Sequence, residues 1–162
     1  MPEQDTLSEE LTAGDPAGGK PCVVDVFAHT QPDGSIGFSH EWRWENGPSE
    51  GKGSIVIPKR SPTDPGTPLH FHLRDETNPK RNLEFADKQG AAMWVLRDAC
   101  PPEGQRCDDP EIPPDQMNTS PKLLKAFNEN SEECNLHYRL WFVDKDGKWE
   151  AYDPDIKNGG KV

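Results

Sequence analysis

The sequence predicts an all-β fold, an antiparallel β-sandwich of seven to nine short strands, and three observations carry that expectation. Only 31% of the 162 residues are hydrophobic while 14 are Gly and 17 are Pro, so turns must be frequent and long helices rare. Apolar and polar residues alternate with period two through several segments, the spacing of strands that bury one face. The connections between those segments are too short for the helical crossovers of a parallel sheet.

Residues 1–20 read as a disordered acidic tail. Glu3, Asp5, Glu9, Glu10 and Asp15 outweigh Lys20, and there is hardly a large apolar side chain to bury. The domain is expected to span residues 21–162. Its first strand covers Cys22 to His29 and ends in the turn Gln31-Pro32-Asp33-Gly34. Phe38, His40, Trp42 and Trp44 then point one way while Ser39, Glu41, Arg43 and Glu45 point the other. Ser54 to Ile57 is a short strand ending at Pro58, and Leu69, Phe71 and Leu73 alternate with His70, His72 and Arg74.

Asn82 to Phe85 and Ala91 to Arg97 supply two more strands. From Ala99 to Asn118 five prolines, with Cys100 and Cys107, predict a long loop in which Asp108, Asp109 and Glu111 form a solvated acidic run. Ser120-Pro121 can open a helix, but Leu124, Ala126 and Asn128 alternate with Leu123, Lys125 and Phe127, which favours a strand. The clearest hairpin joins Leu136–Val143 to Lys148–Tyr152 through Asp144-Lys145-Asp146-Gly147.

Charge narrows the partners. A formal net charge of −11 repels phosphate backbones and anionic headgroups, so neither nucleic acid nor a membrane is expected. No stretch approaches the roughly 20 apolar residues of a membrane-spanning helix, and Met1-Pro2-Glu3-Gln4-Asp5 lacks the features of an export signal. The expected location is cytoplasmic, where Cys22, Cys100, Cys107 and Cys134 stay reduced. Nothing in the sequence requires a cofactor.

Two constellations are candidate sites. His70 and His72 share a strand face, and Glu76 follows, a donor set that suits a divalent metal. The simpler alternative buries Leu69, Phe71 and Leu73 and turns both imidazoles to solvent. Trp42 and Trp44, beside His40, can present flat indole area to a glycan or another small ligand, although the same periodicity also suits burial, with His40 a hydrogen-bonded core histidine.

The His70-Phe71-His72 spacing with Glu76 resembles part of the first cupin motif, which binds iron, manganese or another divalent metal. The resemblance covers about seven residues and departs at the upstream glycine, where this chain has Asp64, with Gly66 two residues too close. It implies a metal enzyme that activates water or dioxygen. A second resemblance lies at the C-terminus, in Tyr138-Arg139-Leu140-Trp141-Phe142, Asp146-Gly147 and Tyr152-Asp153-Pro154-Asp155-Ile156-Lys157-Asn158-Gly159. This stretch is similar to the last hairpin of small bacterial β-sandwich proteins of unknown function, of the DP-EP type. Leu69-Phe71-Leu73 with Asp75, and Leu83-Glu84-Phe85, suit earlier strands of such a domain. That likeness implies an Ig-like or cupredoxin-like sandwich and no particular activity.

Three functions follow as expectations. The first is a noncatalytic module that binds a protein partner or itself through strand edges or its long loop. The second is a cupin-like metal enzyme using His70, His72 and Glu76. The third is a glycan or small-ligand binder using Trp42 and Trp44.

Overall fold

The computed structural model describes residues 19–86, 91–99 and 106–162. Residues 1–18, which make up nearly all of the expected tail, and Cys100 lie outside them. Strand β1 (Cys22–Thr30) and β2 (Ile36–Trp44) form a hairpin that pairs Val26 with His40 and Thr30 with Ile36. Its turn is closed by the Gly34 amide, which donates to the Gln31 carbonyl, and by the Gln31 amide, which donates to Ser35. β3 (Ser49–Gly51), β4 (Ile55–Ile57), β5 (Thr67–Asp75), β6 (Glu84–Phe85) and β7 (Met93–Arg97) follow. After a single 3-10 turn at Pro114–Gln116 come β8 (Asn118–Ser120), β9 (Leu123–Asn128), β10 (Glu133–Val143), β11 (Trp149–Tyr152) and β12 (Asp155–Gly159).

The described residues therefore form twelve strands and no α-helix, an almost wholly β molecule as the composition predicts. The number exceeds seven to nine because β3 and β8 are three residues each, too short to leave a period-two signature, and β12 carries a single large apolar side chain, Ile156. The segment after Ser120-Pro121 is a strand. Its inward residues Leu124 and Ala126 are buried, a gain that outweighs the local helix start.

Two sheets result. The first runs β3-β2-β1-β5-β9-β8; the second runs β11-β10-β12-β4, with β6 and β7 also paired to β10. Neither closes into a barrel. Each sheet turns its apolar residues toward one shared core: Val24, Val26, Leu69, Phe71 and Leu124 from the first, Ile55, Ile57, Leu136, Tyr138, Leu140 and Phe142 from the second. Phe38 stacks on Phe142 at 5.0 Å, and Phe71 meets Tyr138 at 5.6 Å, so rings from both sheets interlock. Fully burying each such side chain stabilises the fold by about 1.5–3 kcal/mol.

The sheets are mixed, which corrects the expectation of a purely antiparallel fold. β1 and β5 run parallel, with Cys22 opposite Leu69 and Ala28 opposite Asp75, and so do β4 and β12. A parallel pair needs a long crossover, and an α-helix is only the commonest form of one. Here the crossover from Thr30 to Thr67 consists of strands, since the chain lays down β2 and β3, visits the second sheet as β4, and returns. Scanning adjacent segments for short connections misses it, because the paired strands are not adjacent in sequence.

The acidic run after Cys107 is a second correction. Of the three acids only Asp108 is solvated. Asp109 accepts both Nε and Nη2 of Arg97, while Glu111 is 2% exposed. The Glu111 carboxylate accepts the amides of Ser131 and Glu132, the Ser131 hydroxyl and Asn158 Nδ2. Buried charge persists where hydrogen bonds replace water, and Glu111 finds them at the β9–β10 turn. Behind it Asn128 and Asn158 exchange side-chain amide bonds of 2.7 and 2.9 Å between the two sheets. The segment from Asp109 to Met117 is thereby pinned, with Ile112 fully buried.

Candidate functional site

The strand periodicity of β2 places His40 and Trp42 inside. Trp42 is 6% exposed, with its ring 6.0 Å from Trp44 in an edge-on arrangement. Trp44 is half-buried, and the guanidinium of Arg60 lies 5.5 Å from its ring centre. His40 spans the sheets: its Nε2 is 2.7 Å from the Gly53 carbonyl and its Nδ1 is 2.6 Å from the Tyr152 hydroxyl. A carbonyl only accepts, so Nε2 carries a proton, and in the neutral ring Nδ1 accepts from Tyr152.

His70 and His72 stand on the outer face of β5, opposite Lys125 and Leu123 of β9, while Leu69, Phe71 and Leu73 point into the core. Both imidazoles are pushed below the ordinary histidine range. Partial burial is the largest cause for each, followed by Lys125 and His72 for His70 and by Arg74 for His72. Glu76 lies beyond the strand end, exposed, with its amide bonded to the Ala28 carbonyl. It borders a cavity of about 290 Å³ with His29, Glu41 and Lys52 rather than with His70 and His72. Among the described residues no group of three His, Cys, Asp or Glu side chains converges closely enough to hold a metal ion.

The thiols of Cys22 and Cys134 are no more reactive. Burial pushes Cys22 up to about 12, reinforced by Glu50. Burial likewise pushes Cys134 up to about 11, with Arg97 opposing and Glu111 reinforcing it. At neutral pH both are protonated, and a protonated thiol is a poor nucleophile and metal ligand.

A different surface gathers the other three tryptophans, of which Trp94 and Trp141 are half-buried. β10 buries Leu136, Tyr138, Leu140 and Phe142, which leaves Arg139 and Trp141 on the outer face of the second sheet. β7 sets Trp94 opposite Arg139, and β11 sets Ala151 opposite Trp141 and Trp149 opposite Val143. A row of indoles thus crosses three neighbouring strands diagonally. Trp94 and Trp141 are 5.2 Å apart at 63°, and Trp141 and Trp149 are 5.7 Å apart at 73°, both edge to face. Trp149 is 50% exposed. Arg139 lies under the row with its guanidinium 5.7 Å from the Trp141 ring and its Nε 2.5 Å from Asp153. The Trp141 indole nitrogen is buried without an acceptor.

No family model and no curated protein matches this chain. No helix among the described residues is long and apolar enough to cross a membrane.

Sequence reasoning selected Trp42 and Trp44 because they sit two residues apart in one strand. The row on the second sheet was partly within reach. The alternation alone identifies the hairpin of β10 and β11, and its turn at Asp144–Gly147 fixes Trp149 near Trp141 once the register is counted. Trp94 was out of reach, because its place depends on the pairing of β7 with β10, more than forty residues downstream.

Proposed function

We propose that this protein is a noncatalytic binding module, an Ig-like or cupredoxin-like β-sandwich that presents the outer face of its second sheet to a partner. The observation that carries the reading is the row Trp94–Trp141–Trp149 with Arg139 beneath it. Aromatic residues and arginine dominate binding energy at recognition surfaces, and Trp149, 50% exposed at the end of a row of three contacting indoles, offers such a contact. The divergence of Glu76 from His70 and His72, with the protonated thiols of Cys22 and Cys134, favours this reading over a metal enzyme. The half-exposed ring of Trp149, against the core position of Trp42, favours the second sheet over the first as the ligand face.

Arrays of neutral glycans, acidic glycans and short peptides, probed with the labelled protein, test the proposal. A bound class should be lost in W94A/W149A and kept in H70A/H72A. Binding that survives W94A/W149A, or a probe that is chemically converted, would overturn it.

A further inference from the structure

We propose that Asn46 is a site of spontaneous covalent modification, closing a cyclic imide with Gly47 and opening to aspartate and isoaspartate. It lies on the first sheet, apart from the tryptophan row of the second. An Asn–Gly step favours this chemistry because glycine has no Cβ to keep its own amide nitrogen away from the asparagine side chain. The chain holds two such steps, Asn46-Gly47 and Asn158-Gly159, and the fold sets them in opposite surroundings. Asn46 is exposed in the turn between β2 and β3, at a φ of 62° that asparagine tolerates. The Gly47 amide belongs to no strand and donates to the Trp44 carbonyl at 2.8 Å. Freeing it takes a local opening of one surface turn. Asn158 is 3% exposed; its Nδ2 donates to Asn128 and Glu111 at 2.9 and 3.2 Å, and its Oδ1 accepts from Asn128 at 2.7 Å. Gly159 pairs with Glu133 of β10, and a Cβ on it would stand 2.4 Å from the Lys59 amide nitrogen, so backbone packs closely against it. Bringing the Gly159 nitrogen onto Asn158 Cγ requires dismantling that network and the β10–β12 pairing.

The reaction needs only water. The Gly47 nitrogen gives its proton to solvent base and bonds to Asn46 Cγ, while Nδ2 leaves as ammonia with a proton taken from water. A water molecule then opens the five-membered imide. Breaking the new N–Cγ bond leaves aspartate; breaking the bond from the same nitrogen to the Asn46 main-chain carbonyl carbon leaves isoaspartate. Either product sets a carboxylate beside Glu45 in a chain of formal net charge −11. Isoaspartate also lengthens the backbone by one carbon within the turn that registers β3 on β2, at Trp42 with Gly51 and Arg43 with Ser49. The modification is thus a slow, one-way change at the edge of the first sheet.

Wild-type protein incubated at pH 8 and 37 °C in heavy-oxygen water, then digested with pepsin at acid pH and followed by mass spectrometry, tests this. The peptide containing Asn46 should take up one heavy oxygen and separate into aspartate and isoaspartate forms. Its conversion should run at least about tenfold faster than that of the peptide containing Asn158, because a surface turn opens more readily than the core. In denaturant the two rates should converge. Gly47→Ala should slow conversion at Asn46 both in the folded protein and in denaturant, where folding plays no part, since the added Cβ hinders the attacking nitrogen. No uptake at Asn46 overturns the proposal, and so does an equal or faster rate at Asn158 in the folded protein. Aspartate without isoaspartate, or a Gly47→Ala rate equal to the wild type in denaturant, overturns the cyclic route and the proposal with it.

Discussion

At the scale of single residues, His40 shows how a polar group earns a place in the core. With Nε2–H on the Gly53 carbonyl and Nδ1 accepting from Tyr152, both ring nitrogens are satisfied and the two sheets are tied at one edge. Burial pushes the Tyr152 phenol up to about 12, so it remains a donor at neutral and mildly alkaline pH. Tyr152→Phe should destabilise the protein by about 1 kcal/mol in urea denaturation, the worth of one buried hydrogen bond. An unchanged midpoint would show that the bond contributes nothing. His70 and His72 make a pH-dependent statement. Each has a folded pKa below its unfolded value, since burial, Lys125, Arg74 and Arg43 together outweigh Asp25 and Glu45. The unfolded chain therefore binds protons more readily, and stability should fall as the pH drops through and below the ordinary histidine value of about 6.5. H70Q/H72Q should lose less stability than the wild type between pH 7 and pH 5, measured by thermal melting at each pH. A parallel loss in both proteins would contradict the assignment.

At the scale of elements, the segment from Asp109 to Met117 is held by one carboxylate. Glu111→Ala leaves the amides of Ser131 and Glu132 and the side chain of Asn158 without that acceptor, a cost of about 3 kcal/mol. The variant should show that loss in chemical denaturation and faster proteolysis within 106–117, whereas Glu111→Gln should fall between it and the wild type. Wild-type resistance in Glu111→Ala would mean that apolar contacts of Ile112 and Met117 suffice to hold the segment. None of this was legible in the sequence, where Asp108, Asp109 and Glu111 are three acids in a proline-rich stretch. What distinguishes Glu111 is the amides it meets, and those come from a turn twenty residues away. By contrast the long strands were legible to within two or three residues. In β1, β2, β5 and β10 the buried side chains recur at every second position, a local property that needs no partner to be seen. Pairing was not legible, because parallel contact between β1 and β5, and between β4 and β12, is decided by which apolar faces meet across the core.

At the scale of the whole molecule, the five tryptophans divide between two environments, and the proposed function depends on that division. Trp42 belongs to the core, Trp44 is sheltered by Arg60, and Trp94, Trp141 and Trp149 line the outer face of the second sheet. Period-two alternation assigns a strand residue to one face or the other, but it does not say which outward residues of different strands become neighbours. That is why the paired indoles within β2 stood out in the sequence and the row assembled from β7, β10 and β11 did not. The most direct test is the indole region of a two-dimensional nitrogen–proton NMR spectrum, assigned by single substitutions, in the presence of a soluble gadolinium chelate. The account predicts strong broadening of the Trp149 signal, with the indole signals of Trp42 and Trp141 protected by burial. Broadening of Trp42 as strong as that of Trp149 would contradict it.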